Sequence, residues 1–269
     1  MISCHKWPIG ICGWSLKNDI PVLSQLMNAT GITHLHLSLD PDIASDNRDY
    51  LDEIERYQWE PTATMIGFDQ EDYTTLETIK QTGGIVPDQY WEKNKQKVLH
   101  AIELTASLKL KYLTFHFGFI DNTKPKLKER VRFLADAAQE KNVMILMETG
   151  QENAETLMAF LTEISHPALG VNFDPANMIL YGKGDPVQGL EILAPWVKHV
   201  HIKDALRSPI SGEWGLEVPW GEGDFDNNEF LNTLKRIGYQ GALAIEREAG
   251  STRMKDIQNT AATLLQFSD

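Results

Sequence analysis

The stretch NVMILMETG, residues 142–150, indicates the fold class, because a short apolar run ends there in a glutamate and a glycine-containing turn. An amphipathic stretch follows at 152–164, and a second apolar run, ALGVNFD, comes next at 168–174. Short apolar runs that alternate with longer amphipathic stretches are typical of repeated βα units around a parallel sheet. This part of the chain therefore predicts a strand, a helix and a second strand parallel to the first.

The same alternation extends along the chain in both directions. Strands are predicted at residues 9–14, 33–38, 60–66, 111–116, 142–148, 168–173, 197–202 and 242–246. Helices are predicted between and after them, at about 19–29, 47–57, 88–108, 126–140, 152–164, 186–194, 226–237 and 252–267. Eight strand–helix pairs are most simply closed as an α/β fold of the (β/α)₈ TIM-barrel type, with a doubly wound open sheet as the alternative.

Length and composition agree with one domain. The 269 residues are close to the roughly 250 of a typical barrel of this kind. No linker rich in Pro, Gly or Ser divides them, so a single TIM-barrel domain is expected over residues 1–269. An apolar run of about 18 residues and a signal-peptide pattern are both lacking, so neither a membrane span nor a leader is expected. Cys4 and Cys12 are too few for a secreted disulfide scaffold, which favours the cytoplasm.

The net charge of −13 argues against a nucleic-acid partner, because such surfaces need clustered Lys and Arg to replace the counterions of phosphates. A neutral sugar tolerates an acidic protein, and an acidic pocket can hold a divalent cation. A small sugar or keto-sugar is therefore the expected partner. A homo-oligomer is compatible with the sequence, since dimers are the commonest closed assembly.

Four successive late strands end at, or carry, a residue that can bind a metal. The predicted strand at 142–148 ends in Glu148, the next runs into Asp174, the third carries His201 and the last ends in Glu246. Adjacent strands of a closed barrel lie about 4.7–4.9 Å apart, so these side chains can converge. Three carboxylates and an imidazole suit one divalent metal, with Mn²⁺ expected first and Mg²⁺, Co²⁺ or Zn²⁺ as alternatives. Ordinary strand-end residues, hydrogen-bonded in loops, are the competing interpretation.

This arrangement suits proton transfer next to a carbonyl. A metal that binds two adjacent oxygens of a hydroxy-carbonyl substrate makes the neighbouring C–H more acidic and stabilises the enediolate. One carboxylate removes the proton and another returns one, which gives epimerisation on the opposite face or aldose–ketose isomerisation at the neighbouring carbon. Glu148 and Glu246 are the candidate acid and base, without a choice between them.

The C-terminal half also resembles the xylose-isomerase-like sugar phosphate isomerase/epimerase superfamily, in the branch with tagatose and psicose 3-epimerases. The resembling stretches are MILMETG (144–150), GVNFDPANMILYGKGDP (170–186), VKHVHIKDA (197–205), WGEGDFD (220–226) and IGYQGALAIERE (237–248). The resemblance implies a metal-dependent sugar isomerase or epimerase on a TIM barrel. It also implies that Glu148, Asp174, His201 and Glu246 bind the metal and that the two glutamates flank the substrate.

Further side chains near the predicted strand ends and in the long connections 67–87 and 203–225 are candidates for substrate binding, since long connections are usually functional or disordered. Arg207 lies six residues after His201, like a substrate-binding Arg of the epimerase branch, whereas Asn177 stands where that branch usually has His. The complete candidate set is Trp14, His36, His116, Asn177, Lys203, Arg207 and Glu222. A packing or surface role is the competing interpretation for most of them.

Three other functions compete with this interpretation. A dehydratase of a keto-sugar or keto-cyclitol would use the same metal and enediolate, with Lys203, His116 or Glu222 as the acid at the leaving hydroxyl. An AP endonuclease of the endonuclease IV type would need further zinc ligands, where the chain has Asn177 and Met65. A non-catalytic sugar-binding protein would have no reason to place two carboxylates at a metal.

Overall fold

A closed barrel of parallel strands forms the centre of the computed structural model, which describes residues 2–45 and 47–267. Each strand pairs in parallel with the next along the chain, and the last pairs with the first, Ile245 lying opposite Ile11. The predicted single (β/α)₈ TIM barrel is therefore confirmed. Its strands are β1 (Trp7–Cys12), β2 (His34–Ser38), β3 (Glu60–Met65), β4 (Tyr112–Phe115), β5 (Met144–Glu148), β6 (Leu169–Phe173), β7 (Val197–Ile202) and β8 (Leu243–Ile245).

Every predicted helix is present, with ends that agree to within three residues. The α-helices of the described residues are α1 (Ile20–Thr30), α2 (Asp40–Ser45), α3 (Asp49–Arg56), α4 (Leu76–Thr82), α5 (Trp91–Ser107), α6 (Pro125–Glu140), α7 (Ala154–Ile164), α8 (Pro175–Leu180), α9 (Pro186–Leu193), α10 (Asn227–Arg236) and α11 (Arg253–Gln266). Helices α2, α4 and α8 were not predicted, because six or seven residues are too few for a helical period to show. Within the described ranges, none of the helices combines the length and apolarity that a membrane span requires.

The first strand lies two residues earlier than predicted. It covers Trp7–Cys12 instead of 9–14, and a 3₁₀ turn follows at Gly13–Leu16. The backbone hydrogen bonds of this turn are local instead of part of the sheet, since the Lys17 N–H donates to the carbonyl of Trp14. The strand starts early because the ring of Trp7 is fully buried and its indole donates to a backbone carbonyl in the segment before β8.

The two long connections, 67–87 and 203–225, both contain secondary structure. The first includes α4, and the second includes a hairpin of the antiparallel strands Asp204–Leu206 and Leu216–Val218. Both follow the C-terminal ends of barrel strands, β3 and β7. Barrels of this kind build their active sites on that face.

The barrel lumen is partly polar, whereas the apolar core lies between the strands and the helices. Along β7 the apolar residues Val200 and Ile202 belong to the buried core, and His199 and His201 alternate with them and contact polar side chains of other strands. His36 of β2 points into the lumen in the same way. This alternation is the period of two that any strand imposes on its side chains. It places a group of imidazoles below the C-terminal mouth of the barrel.

Candidate metal centre and cavity

The four predicted metal ligands lie together at the C-terminal mouth of the barrel. Glu148 ends β5, Asp174 directly follows β6, His201 lies in β7 and Glu246 directly follows β8. One donor atom of each lies within 4.8 Å of the others, and all four residues are buried. His201 Nδ1 is the shared neighbour, at 2.8 Å from Glu246 Oε2, 3.4 Å from Asp174 Oδ2 and 3.5 Å from Glu148 Oε1.

The donor set fits a divalent cation. The second carboxylate oxygen of Glu148, Oε2, is buried and has no hydrogen-bond partner among the described residues. Buried anionic oxygens are costly unless they are paired or bind a metal. Carboxylates with one imidazole are donors that hard or borderline divalent metals accept. Glu148, Asp174, His201 and Glu246 are therefore the residues that would hold such a metal.

Hydrogen bonds from neighbouring residues orient the carboxylates. The side-chain amide of Asn177 donates to Glu148 Oε1 at 3.0 Å, and its backbone N–H donates to Asp174 Oδ1 at 2.9 Å, which caps α8. The indole N–H of Trp14 donates to Glu246 Oε1 at 2.8 Å. Contacts of this kind fix the orientation of metal ligands and tune their affinity.

Positive charge balances the buried carboxylates. The ammonium of Lys203 lies 3.2 Å from Glu246 Oε1 and 3.8 Å from Asp174 Oδ2. Burial opposes the ionisation of Glu246, but Lys203 and His201 hold its pKa well below its usual range. Burial also opposes the protonation of His201, but Cys12 and the nearby carboxylates raise its pKa well above its usual value. A cation that binds the cluster would take the place of the proton on His201 Nδ1.

His116 directly follows β4 and faces the same cluster. Its Nε2 lies 3.9 Å from Glu148 Oε1, and its Nδ1 is buried without a hydrogen-bond partner in the part of the chain that the structure describes. Burial alone would raise the pKa of Glu148, but the imidazoles of His116 and His201 lower it below its usual value. The His116 ring lines the cavity beside this carboxylate, and an imidazole nitrogen can form a hydrogen bond with a substrate hydroxyl.

A cavity of about 820 Å³ opens above the cluster. Of the four donors, Glu148 and Glu246 line it, whereas Asp174 and His201 lie beneath its floor and are fully buried. The cavity can therefore bring a substrate to the two glutamates. The predicted substrate-binding residues that also line it are Trp14, His116, Asn177 and Lys203.

Three predicted substrate-binding residues lie outside the cavity. His36 is fully buried below the cluster, where its ring contacts His201 and cannot reach a substrate. Arg207 is exposed, because the hairpin after β7 leads it away from the mouth and its guanidinium donates to the Gly184 carbonyl. Glu222 is exposed in the loop after the hairpin and does not line the cavity.

The connections contribute lining side chains that sequence patterns did not identify. Glu71 and Tyr73 come from the connection after β3, Trp214 and Glu217 from the connection after β7, and Glu248 from the segment after β8. Burial is the main reason why the pKa of Glu248 is raised to about 7. Loop residues carry no periodic pattern, so for Glu71, Tyr73, Trp214 and Glu217 the signal in the sequence was the unusual length of the two connections.

Solved structures resemble the whole chain. The xylose isomerase domain protein from Planctomyces limnophilus has a TM-score of 0.89 and 29% identity, covering 97% of both chains. A xylose isomerase-like TIM barrel protein from Mycobacterium smegmatis in complex with magnesium has a TM-score of 0.72 and 19% identity, covering 99% of this chain and 98% of that one. A D-tagatose 3-epimerase-like protein has a TM-score of 0.71 and 18% identity, covering 96% and 98%. At such identities the last two likenesses show the fold alone.

Curated relatives match parts of the chain. A 3-dehydroshikimate dehydratase of Bacillus anthracis is 29% identical over 90 residues, 32% of each chain. An inosose dehydratase of Clostridium tetani is 25% identical over 157 residues, 52% of each chain. The chain thus spans about a third to a half of the length of these relatives. A family model described as xylose isomerase-like TIM barrel matches residues 23–267.

Proposed function

Because the chain belongs to the xylose isomerase-like TIM barrel family, we propose that it is a divalent-metal-dependent isomerase or epimerase of a small keto-sugar. The observation that carries this proposal is that two of the four clustered donors, Glu148 and Glu246, line the cavity. Glu148 is the last residue of β5 and Glu246 directly follows β8, and β6 and β7 lie between these two strands in the barrel. A substrate bound above the cluster would therefore contact carboxylates from two different strands.

The proton transfer is assigned to the two glutamates. A divalent cation held by Glu148, Asp174, His201 and Glu246 would supply Lewis acidity toward the carbonyl and the adjacent hydroxyl of the substrate. One glutamate removes the proton from the carbon beside the carbonyl, and the other returns a proton. Return to the opposite face gives the epimer, whereas return at the neighbouring carbon interconverts ketose and aldose. Mn²⁺ is the proposed metal, with Mg²⁺, Co²⁺ and Zn²⁺ as alternatives, because the donors are mostly oxygens with one imidazole.

The lining of the cavity favours an uncharged, hydroxylated substrate. The carboxylates that line the cavity would repel a phosphate or carboxylate group on the substrate. The free-energy cost of this repulsion increases as water is excluded from the cavity. Hydroxyl groups would instead find hydrogen-bonding partners in His116, Asn177 and Lys203, and Trp14 offers an apolar face. The charged lining residues are six carboxylates, Asp40, Glu71, Glu148, Glu217, Glu246 and Glu248, and one lysine, Lys203.

The cysteines and the charge fit a cytoplasmic protein with a small-molecule partner. Cys4 and Cys12 are both free thiols and both buried, as is usual in a reducing compartment. The net charge of −13 disfavours a nucleic-acid partner.

Exchange of a substrate C–H with deuterated water tests the proposed function. The purified protein is loaded with Mn²⁺ and offered a panel of keto-sugars, and proton NMR follows the loss of the C–H signal. Glu148→Gln and Glu246→Gln are each expected to slow exchange by about 100-fold or more, because general acid–base catalysis contributes about 10²–10⁴-fold. Glu222→Gln is the matched control and should keep the wild-type rate, since Glu222 does not line the cavity.

Metal binding must be measured beside exchange, because each Gln variant also alters a ligand. Calorimetry gives the Mn²⁺ affinity of every variant, and exchange is then compared at saturating Mn²⁺. Wild-type exchange rates in both metal-loaded Gln variants would contradict the acid–base roles. A wild-type protein that binds no divalent cation and exchanges no substrate proton would contradict the whole proposal.

Dehydration is the second candidate function. Several curated relatives that match the chain are named dehydratases, and the same proton abstraction can be followed by loss of a hydroxyl. That step needs an acid at the leaving group, for which Lys203 and His116 line the cavity. A dehydratase acting on a keto-sugar or keto-cyclitol would give a product lighter by one water, with new ultraviolet absorbance. An isomerase product keeps the mass of the substrate, so mass spectrometry separates the two activities.

A further inference from the structure

A second imidazole holds the candidate ligand His201 from below. His36 of β2 and His201 of β7 are both fully buried in the barrel lumen. His36 Nδ1 lies 3.0 Å from His201 Nε2, while His201 Nδ1 faces the carboxylate cluster. The two ring nitrogens of His201 therefore have different partners, and the position of the proton decides which nitrogen can bind a cation.

The other nitrogen of His36 fixes the direction of this hydrogen bond. His36 Nε2 lies 3.3 Å from the backbone carbonyl oxygen of Thr64, which can only accept. Neither partner of His36 is an anion, and a buried imidazolium without an anionic partner would be costly, so the ring is neutral. Its single proton is then on Nε2, and its Nδ1 offers a lone pair to His201.

His201 must therefore donate from Nε2. Two lone pairs facing each other at 3.0 Å would repel, so a proton lies between His36 Nδ1 and His201 Nε2 and belongs to His201. A singly protonated His201 then has its lone pair on Nδ1, which faces the carboxylates. The Thr64 carbonyl thus selects, through His36, the nitrogen that is available to a cation.

The Asn172 amide lies between His201 and His199, and this arrangement requires one of the two orientations of that amide. Asn172 Nδ2 lies 3.1 Å from His201 Nε2, and Asn172 Oδ1 lies 2.9 Å from His199 Nδ1. A proton on His201 Nε2 therefore requires this amide to be turned by 180°, which exchanges its oxygen and nitrogen. With its oxygen turned toward His201 and its nitrogen toward His199, both contacts pair a donor with an acceptor. His199 then donates from Nε2 to Thr62 Oγ1 at 3.0 Å, and Thr62 donates to the Leu35 carbonyl at 3.3 Å. In this orientation of the amide, each proton between these side chains has an acceptor.

Cys12 offers a competing use of the same two imidazoles. Its sulfur, His36 and His201 form a buried group whose donor atoms lie within 4.8 Å of one another, which a soft cation can bridge. Such a cation would need the nitrogens that the hydrogen bond between the two rings occupies. Their separation of 3.0 Å is that of a hydrogen bond. The hydrogen bond is therefore favoured, and a cation bound to Cys12 becomes an outcome of the test.

We propose that His36 is a positioning residue, which keeps the proton of His201 on Nε2 and thereby presents Nδ1 to a divalent cation. The inference rests on the metal centre of the proposed function. It goes beyond that centre because His36 neither belongs to the four-donor cluster nor lines the cavity. Hydrogen-bond partners behind a metal ligand contribute about 10–100-fold to metal affinity.

The metal affinity of variants tests this role without reference to catalysis. Mn²⁺ is titrated calorimetrically into chelator-treated wild type, His36→Leu and His36→Asn. His36→Leu is expected to weaken Mn²⁺ binding by about 10–100-fold, because nothing then holds the His201 proton on Nε2. His36→Asn should recover part of this loss, because its amide oxygen can accept a hydrogen bond near the position of Nδ1. His34→Leu is the matched control and should keep an affinity close to wild type, because His34 is a buried histidine of the same strand whose ring contacts Thr33 and Glu60.

Nitrogen NMR of the wild-type imidazoles supplies a second test, which does not depend on the folding of a variant. With Zn²⁺ bound as a diamagnetic probe, His201 is expected to be protonated on Nε2 and metal-bound through Nδ1. Metal on Nε2, or an unchanged Mn²⁺ affinity in His36→Leu, would overturn the inference. Thiolate-to-metal absorption with Co²⁺ would also overturn it, because the cation would then be on Cys12. A wild-type protein that binds no cation would refute the proposed function together with the inference, whereas the other outcomes refute the inference alone.

Discussion

Asp174 combines two tasks in one side chain, since it is a candidate metal ligand and also caps a helix. Its Oδ1 accepts a hydrogen bond from the Asn177 N–H at 2.9 Å, and its Oδ2 lies 3.4 Å from His201 Nδ1. Burial raises the pKa of this carboxyl, although Lys203 opposes the rise. Asn and Asp cap helices about equally well, so substitution can separate the two tasks.

Asp174→Asn is expected to lose metal binding and to keep the cap of α8. Its loss of Mn²⁺ affinity should exceed the roughly 10–100-fold typical of a residue behind a ligand. Asp174→Ala should lose the cap as well, so that its free energy of unfolding in chelator falls below that of Asp174→Asn by about 0.5–2 kcal/mol. Calorimetry and urea unfolding measure the two effects. Wild-type Mn²⁺ affinity in Asp174→Asn would remove Asp174 from the ligand set.

Single residues could be predicted from the sequence where strand order determines their place. Glu148, Asp174 and Glu246 follow successive or nearby strands, and the C-terminal ends of parallel strands share one face of a barrel. Arg207 does not line the cavity, because the hairpin, which no pattern predicted, takes its side chain to Gly184. The sequence also does not show how deep a side chain lies along the barrel axis. For this reason His36, whose ring is buried, was predicted to contact substrate.

At the scale of elements, the hairpin after β7 holds the segment after β8. Glu217, on the second strand of the hairpin, accepts hydrogen bonds from Arg247 Nη1 at 2.6 Å and from the backbone N–H groups of Glu248 at 2.8 Å and Ala249 at 3.1 Å. These donors directly follow Glu246 along the chain. One carboxylate thus fixes the backbone that carries an acid–base candidate.

Glu217→Ala is expected to loosen this segment. It leaves two backbone N–H groups and part of the buried Arg247 guanidinium without a partner, which should lower the free energy of unfolding by about 1–3 kcal/mol. The efficiency kcat/KM should also fall, because Glu246 and Glu248 lose a fixed backbone. Urea unfolding and steady-state kinetics check the two effects, with Glu213→Ala, an exposed position between the hairpin strands, as the control. Unchanged stability and kinetics would show that the hairpin does not hold this segment.

At the scale of the whole molecule, the barrel was predictable because its signal is repeated along the chain. Each of the eight predicted strands has a counterpart in the structure, including the polar stretch EPTATM of β3. What the sequence did not predict is local: the early start of β1, the hairpin and the short helices α2, α4 and α8. In these segments a buried tryptophan, a cap or a loop contact decides the structure, and such contacts leave no periodic pattern.

The buried imidazoles should make the stability of the whole molecule depend on pH. Burial, with a smaller effect of His201, holds the pKa of His199 well below its usual value. Below about pH 6.5 the unfolded chain therefore binds a proton that the folded chain does not. The free energy of unfolding should fall as the pH decreases, by up to about 1.4 kcal/mol per pH unit from this residue.

His199→Gln is expected to flatten this dependence. Urea unfolding of chelator-treated protein, at a series of pH values from about 7.5 to 5.5, measures the slope. His100→Gln, an exposed position on α5, is the control. A slope in His199→Gln as steep as that of wild type would contradict the assignment of the effect to this residue.

Trp14 and Glu246 are 232 positions apart in the chain, and their hydrogen bond exists only because β8 pairs with β1. A nascent chain that has not yet delivered β8 has an open sheet, an incomplete donor set and an indole without its acceptor. The centre thus comes into being with the last strand of the ring. Chains that lack β8 should therefore be inactive instead of partly active, and no separate inhibitor is needed to keep them so.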